Sequence, residues 1–358
     1  MSSGGSFTAI PTIDLSLADD PASEAGLLDR LRHALVHVGF LYIVNHGVPE
    51  RTISDVVGAL PRLFALPVAA KEEIALGNSP HFLGYSGDGT ERTAGASDRR
   101  EQVEFATELP DVWCAGLPLW ERLRGPNQWP SSYPELRPIV ESYISEMTLL
   151  GERFLRLVAK ALSLPLETFL PFLSDQHRLK LVHYPALPEG EAGGQGVGPH
   201  KDSSGWWTFL LQASPPPVGG LQALNKDGEW VDVPALPGSF VVNIGQAFEV
   251  VTGGACGATT HRVLSGPLER FSVPFFQGVR RDLTKDEATG SLGAHLGRPE
   301  IRGRASESAE GRGVDSPFLR GKYDTWGESQ LRTKVRSHRD VGRKFYAEVF
   351  DRYVDDDQ

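Results

Sequence analysis

Between residues 178 and 279 the chain breaks into short runs rich in β-branched and aromatic residues: "RLKLVHY", "WWTFLLQ", "GLQAL", "EWVDVP", "SFVVNIG", "FEVVT", "THRVLS" and "RFSVPFFQGV". Between them lie "PALPEGEAGGQGVGP", "ASPPPVGG", "NKDG", "ALPGS", "GGACG" and "SGPLE". Such stretches turn the chain, because Gly opens left-handed backbone, Pro withholds a donor and Asn or Asp bonds its own backbone. Short strands at this spacing indicate an antiparallel barrel or a double-sheet jelly roll. "NKDG" between "GLQAL" and "EWVDV" is a hairpin signal.

The flanks read differently. "IPTIDLS" (10–16) alternates as a short strand, and "FLYIVNHG" (40–47) is a second strand ending at Gly47. Residues 24–40 place Leu27, Leu28, Leu31, Leu35 and Val38 at helical spacing and stop at Gly39. Residues 50–66 form a helix that Pro61 is expected to disturb. Residues 77–100 are rich in Gly, Ser and Asp and read as a long functional or mobile loop. The clearest helix lies in 134–163, where Val140, Tyr143, Ile144, Met147, Leu150, Phe154, Leu157, Val158 and Ala161 form one stripe. Residues 281–327 turn polar and Gly-rich, and 327–354 are amphipathic and helical.

The predicted fold is therefore mainly β with flanking helices. It has a double-stranded β-helix (jelly-roll) core, an α-rich N-terminal region and a C-terminal helix. Residues 1–175 form an N-terminal α/β region packed on the barrel, 176–281 the core, and 282–358 a loop or lid with a C-terminal helical region.

Composition narrows the function classes. A net charge of −10 disfavours a nucleic-acid backbone or an anionic membrane as partner, since both call for a basic face. Two cysteines, Cys114 and Cys256, do not make a secreted disulfide framework. No signal peptide and no long apolar run is evident. The expectation is a soluble cytoplasmic protein with a small-molecule substrate and no obligate protein partner.

Within the β-rich region, "GPHKDSSGWW" (198–207) interrupts an apolar neighbourhood with His200 and Asp202. Residues i and i+2 of a strand point to one face. An imidazole and a carboxylate there are two thirds of the 2-His-1-carboxylate set that holds non-haem Fe(II) with open positions. "THRV" offers His261 as the third ligand. If "SGPL" (265–268) made a hairpin turn, His261 would oppose Ser272 and Val263 would oppose Arg270, all lining one interior. A buried Arg with its planar fork wants a carboxylate, and a ligand is the reasonable source.

"HKD", "THRV" and "RFSVPFF" together resemble the signature of the 2-oxoglutarate- and Fe(II)-dependent oxygenases of the isopenicillin N synthase-like superfamily. "IPTIDLS", "GFLYIVNHGVP", "LKLVHYP" and "GGLQALNKDGEWVDVPALPGSFVVNIGQAFEVVTGG" extend the resemblance over most of the chain. It implies that His200, Asp202 and His261 bind iron. Arg270 and Ser272 would hold the distal carboxylate of 2-oxoglutarate, with a hydrogen bond from Tyr184. The implied activity hydroxylates, desaturates or cyclises a small organic substrate, consuming O₂ and releasing succinate and CO₂, with ascorbate as accessory reductant.

Two alternatives stay open on these residues. One is a 2-oxoglutarate-independent Fe(II) oxidase of isopenicillin N synthase type, which keeps the Arg-x-Ser pair. The other is a non-catalytic jelly-roll binding protein. The chain departs from the family pattern at Gly245-Gln246, where many relatives carry Gly-Asp, and at "DSSGWW", which adds two indoles near the metal motif. Trp206 and Trp207 are thus candidates for either pocket or packing, with Tyr85, Arg99 and Phe276 as further pocket candidates and Arg92 and Arg100 near them. A secondary metabolite, a free amino acid and a nucleobase are all open as substrates.

Overall fold

The computed structural model describes residues 6–93, 95–188, 193–203, 205–290, 316–320 and 323–355. Its strands, in chain order, are β1 (Thr12–Asp14), β2 (Phe40–Val44), β3 (Gly84–Ser86), β4 (Arg92–Thr93), β5 (Ala96–Ser97), β6 (Glu101–Ala106), β7 (Arg178–Tyr184), β8 (Gln195–His200), β9 (Trp207–Gln212), β10 (Leu221–Leu224), β11 (Trp230–Asp232), β12 (Ser239–Ile244), β13 (His261–Leu264) and β14 (Arg270–Phe276). Eight of them form a large, mostly antiparallel sheet in the order β1-β2-β12-β9-β14-β7-β6-β3. A smaller sheet, β11-β10-β13-β8, faces the site from the other side, and β4 and β5 pair separately. The jelly-roll expectation holds, and strands from the N-terminal region extend the large sheet at both ends.

One face of the large sheet is covered by helices. Helix α1 (Pro21–His33) starts at Asp20, whose side chain accepts from the Ala22 backbone N–H, with Pro21 at the first turn. It continues through a π-type turn and stops at Gly39, whose φ is +72°. A Cβ there would sit 2.5 Å from the Gly257 carbonyl, so only glycine fits. Helix α2 (Glu50–Phe64) runs through Pro61 rather than breaking. The missing N–H falls in the last turn, where burial of Leu60, Leu63 and Phe64 outweighs one lost bond. Helix α3 is Val68–Glu73. Helix α4 (Leu136–Ala161) buries the whole predicted stripe, and Phe154 meets Trp207 and Phe209 edge-on.

Some expectations are corrected. "FEVVT" lies in a helix, α5 (Gln246–Val251), not a strand. Its residues are buried all round, so no alternation distinguishes the two states. The Gly-rich stretch before His200 carries strand β8, which approaches its neighbours closely: a Cβ on Gly196 would lie 3.0 Å from Tyr184. Residues 77–100 are not all loop, since β3, β4 and β5 fall there. "SGPLE" is not a hairpin turn. β13 pairs with β8 and β10, whereas β14 pairs with β7 and β9, so this segment crosses from the small sheet to the large one. His261 and Arg270 still share an interior, because the two sheets face each other.

Among the described residues the C-terminal region holds α6 (Lys285–Gly290), a short helical turn at Pro317–Arg320, and then α7 (Trp326–Ser337), α8 (Arg339–Phe345) and α9 (Ala347–Val354). Leu331, Val335, Val341, Tyr346 and Phe350 bury against Leu76, Phe82 and Leu123 in a core of their own. Of the 281–327 segment expected to form a loop or lid, residues 291–315 and 321–322 lie outside the described residues. Among the described residues no helix is long and apolar enough to cross a membrane.

Candidate active site

The two sheets enclose a cavity of about 400 Å³. His200 ends β8, His261 begins β13, and the two pair in register. Asp202 follows two residues after His200. The ligand atoms of these three lie within 4.8 Å of one another. Asp202 Oδ1 is 3.5 Å from His200 Nε2 and 3.7 Å from His261 Nε2.

Every other polar atom of the trio is held. His200 Nδ1 lies 2.8 Å from the Gly198 carbonyl and His261 Nδ1 lies 3.1 Å from the Thr259 carbonyl. A carbonyl only accepts, so each Nδ1 carries the proton and each Nε2 presents a lone pair. Asp202 Oδ2 accepts from Thr208 Oγ1 and from Asn243 Nδ2, the latter at 2.7 Å. Oδ1 is left for the cluster. Burial would raise the Asp202 carboxyl, yet the two imidazoles and the Thr208 hydroxyl hold it well below the usual carboxylate range. Burial, reinforced by His200, pushes the His261 imidazole down to about 4. At neutral pH the trio is one carboxylate and a neutral His261 beside His200. That donor set fits a divalent iron, and the backing bonds to Nδ1 and Oδ2 fix its orientation.

At the Gly245-Gln246 departure, Gln246 contributes its backbone N–H to the Asp202 carbonyl, at 2.8 Å.

Arg270 and Ser272 lie on β14 with their side chains in the same cavity, and Tyr184 is Arg270's direct partner on β7. Arg270 is buried. Its guanidinium lies 4.9 Å from the centre of the Tyr184 ring, and Nη2 donates to Gln212 Oε1 at 3.2 Å. Nη1 is buried with no hydrogen-bond partner among the described residues. Burial lowers the guanidinium from its ordinary range, with Tyr184 opposing. A buried cation with an unused donor is costly alone and suited to a ligand carboxylate. Val182, Val197, Leu210, Leu221 and Val263 line the same cavity and give it an apolar part.

Four of the five pocket candidates fall elsewhere. Trp206 and Trp207 are 0 % and 1 % exposed and pack on Phe248, Phe169 and Phe154. Neither lines the cavity: Trp207 starts β9 on the face opposite the inward Thr208, and Trp206 precedes the strand, its backbone N–H donating to the Gln277 carbonyl. The Tyr85 hydroxyl donates to Glu101 Oε2 at 2.7 Å, outside the cavity. Arg99 does not line it, whereas Arg92 and Arg100 do. Phe276 lines it, opposite Arg178 on β7 and Thr208 on β9.

Sequence reasoning missed the supports Thr208, Asn243 and Gln212. Of a charged wall made of Glu91, Arg100, Glu104, Arg178, Lys180, Lys334 and His338 it named Arg100 alone. A signal existed for part of that wall. Arg178 and Lys180 sit at even spacing from Tyr184 in "RLKLVHY", so one inward residue implies the others. Lys334, Gln330, Thr333 and Ser337 come from α7, which closes this end.

Comparison with known proteins gives matches along the chain. Residues 10–132 match the family model described as non-haem dioxygenase in morphine synthesis N-terminal, and residues 176–279 match the 2OG-Fe(II) oxygenase superfamily. A 2-oxoglutarate-dependent dioxygenase, frbJ, of Dothideomycetidae sp. is 42% identical over 355 residues, covering 96% of this chain and 94% of that protein. A homoarginine-6-hydroxylase of Glycine max is 30% identical over 298 residues, covering 77% and 87%. The crystal structure of a full-length Neurospora crassa protein in complex with alpha-KG superposes with a TM-score of 0.69 at 23% identity, covering 86% of this chain and 93% of that one. At that identity the last similarity concerns the fold.

Proposed function

The chain belongs to the 2-oxoglutarate- and Fe(II)-dependent oxygenases, and from that premise we propose that His200, Asp202 and His261 hold its iron while Arg270, Ser272 and Tyr184 receive 2-oxoglutarate. The protein is a 2-oxoglutarate-dependent dioxygenase that acts on a small molecule and uses Fe(II), 2-oxoglutarate and O₂. When bound, the iron and its co-substrate supply oxidation of a substrate C–H bond, with 2-oxoglutarate leaving as succinate and CO₂.

The remaining work belongs to the chain. Asp202 brings one negative charge to the metal and is kept ionised and aimed by Thr208 and Asn243. Arg270 offers its free Nη1 and Ser272 its hydroxyl to the distal carboxylate, while the Tyr184 ring supports the guanidinium. The apolar part of the cavity around Leu210 and Val263 excludes water. The observation that carries this reading is the buried, unpartnered Arg270 Nη1 in the same cavity as the His-Asp-His cluster. It also disfavours a structural metal site, which needs no carboxylate receptor nearby.

The soybean relative's substrate, homoarginine, is a small charged molecule, and the charged wall suits that class. The free Cys114 and Cys256 fit a reducing compartment such as the cytosol.

The test is anaerobic addition of Fe(II) and then 2-oxoglutarate, watching for the visible metal-to-ligand charge-transfer band. The wild type is expected to show it and His261→Ala to lose it while remaining folded by circular dichroism. No band in the wild type, or an unchanged band in the variant, would sink the assignment.

A further inference from the structure

The inward face of β7 runs Arg178, Lys180, Val182, Tyr184, from the charged wall to the Arg270 end. Glu104 on β6 is the direct partner of Lys180. Most of this wall is already paired. Arg178 donates to Glu104 Oε1 at 2.6 Å and to the carbonyls of His81, Phe82 and Leu123. Lys334 Nζ donates to Glu104 Oε1 at 2.5 Å. Arg100 pairs with Glu91 and Asp98, and Gln102 donates to Glu91. His338 Nε2 lies 3.4 Å from Glu91 Oε1.

Two oppositely charged atoms of this wall stand side by side with no hydrogen bond between them. Glu104 Oε2 is buried and accepts no hydrogen bond among the described residues. Lys180 Nζ is 3.8 Å from that oxygen and 4.0 Å from Glu91 Oε2, beyond hydrogen-bond reach of both. Both atoms belong to residues lining the cavity that holds the His-Asp-His cluster.

We propose that Lys180 and Glu104 bind the zwitterionic head of an α-amino-acid substrate, the carboxylate on Lys180 Nζ and the ammonium on Glu104 Oε2. This rests on the oxygenase reading of the cavity. The pair selects among ligand chemistries. A lone anion satisfies Lys180 but lies against the bare oxygen of Glu104. A lone cation satisfies Glu104 but enters a space already held by Lys180, Lys334 and Arg178. A nucleobase or carboxamide offers a neutral N–H beside a neutral carbonyl and gains less from charged partners. An α-amino acid carries both charges on one carbon, matched to a donor and an acceptor that are themselves neighbours. The apolar part of the cavity then faces its side chain.

The experiment uses the full chain with Fe(II) and 2-oxoglutarate under anaerobic conditions. L-α-amino acids with aliphatic, acidic, basic and aromatic side chains are added singly, and binding is read from the shift of the visible band and, in parallel, from the thermal midpoint. The expected result is saturable binding of at least one amino acid, with its N-acetyl derivative and its methyl ester at least tenfold weaker. Uracil and thymine should be inert. Lys180→Met should weaken the amino acid about tenfold or more and leave 2-oxoglutarate affinity within twofold. Glu104→Gln also removes a partner of Arg178 and Lys334, so Lys180→Met is the decisive variant. The proposal is overturned if no amino acid changes either readout, if the blocked derivatives, the decarboxylated amine or a nucleobase bind as well, or if Lys180→Met binds normally. A missing band before any amino acid is added strikes the cofactor reading instead, and the thermal midpoint still judges this one.

Discussion

Replacing Arg270 with Met tests the 2-oxoglutarate receptor and makes two predictions of unlike size, one for affinity and one for stability. Met keeps much of the side chain's volume and removes the charge. A bound carboxylate would lose two charge-assisted N–H bonds, one from the unpartnered Nη1 and one from the Nη2 now shared with Gln212. Each such bond is worth about 1.5–3 kcal/mol, so a loss of about 3 kcal/mol or more is expected, roughly a hundredfold or more in 2-oxoglutarate affinity. The ligand-free fold should respond weakly. The change removes a buried cation whose burial is only partly compensated, and it leaves Gln212 Oε1 without its partner. These oppose each other at about 1–2 kcal/mol each, so the net effect on stability is small and of either sign. The assay is anaerobic titration of the Fe(II) protein with 2-oxoglutarate, followed by the visible band, with urea unfolding of the metal-free protein alongside. An affinity within threefold of wild type refutes the receptor assignment. A loss of more than about 4 kcal/mol in unfolding free energy refutes the claim that the guanidinium is there for a ligand rather than for the fold.

Further outcomes follow from the same geometry. Asn243→Leu removes the amide that holds Asp202 Oδ2 and should weaken iron binding about 10–100-fold with the fold intact; unchanged affinity in a competition with a metal chelator refutes the supporting role. Trp206→Ala should cost about 3–5 kcal/mol in chemical unfolding while leaving substrate preference alone, since the indole is core; a changed preference at unchanged stability would return it to the pocket. Burial pushes His177 down to about 4, so the unfolded chain binds the extra proton between about pH 6.5 and 4. Stability should therefore fall as pH drops through that window, and His177→Gln should make the slope shallower without flattening it, because His261 is lowered in the same way; an identical slope in variant and wild type would show that His177 does not contribute to it.

How much of the site was legible can be argued from β7 and β13. "THRV" and "RFSV" name their chemistry in one dimension, because a histidine, an arginine and a serine at strand spacing carry their donor atoms wherever the strand goes. Their neighbours are another matter. A hairpin through "SGPL" and a crossover between sheets leave the same local alternation, so only the assembled sheets reveal that His261 pairs with His200 and Arg270 with Tyr184. Trp206 and Trp207 show the same limit. Their position beside the metal motif left pocket and packing both open, and only the fold seats both indoles among Phe154, Phe169 and Phe248.

By itself, then, the sequence determined the strand-rich core, a support helix within residues 134–163, the acidic net charge and the set of side chains able to meet iron and a carboxylate. Those depend on residue chemistry and on periods of two and 3.6, which are local. The tertiary structure alone decided which face of each strand is the inside of the site. In "RLKLVHY" a local reading turns the leucines to the barrel and the charges to water. In the fold Leu179 and Leu181 pack in the core beneath the helices, and Arg178 and Lys180 line the cavity. The physical reason is that the large sheet has two buried faces, one against helices and one around a polar chamber, and alternation separates faces without saying which face meets water.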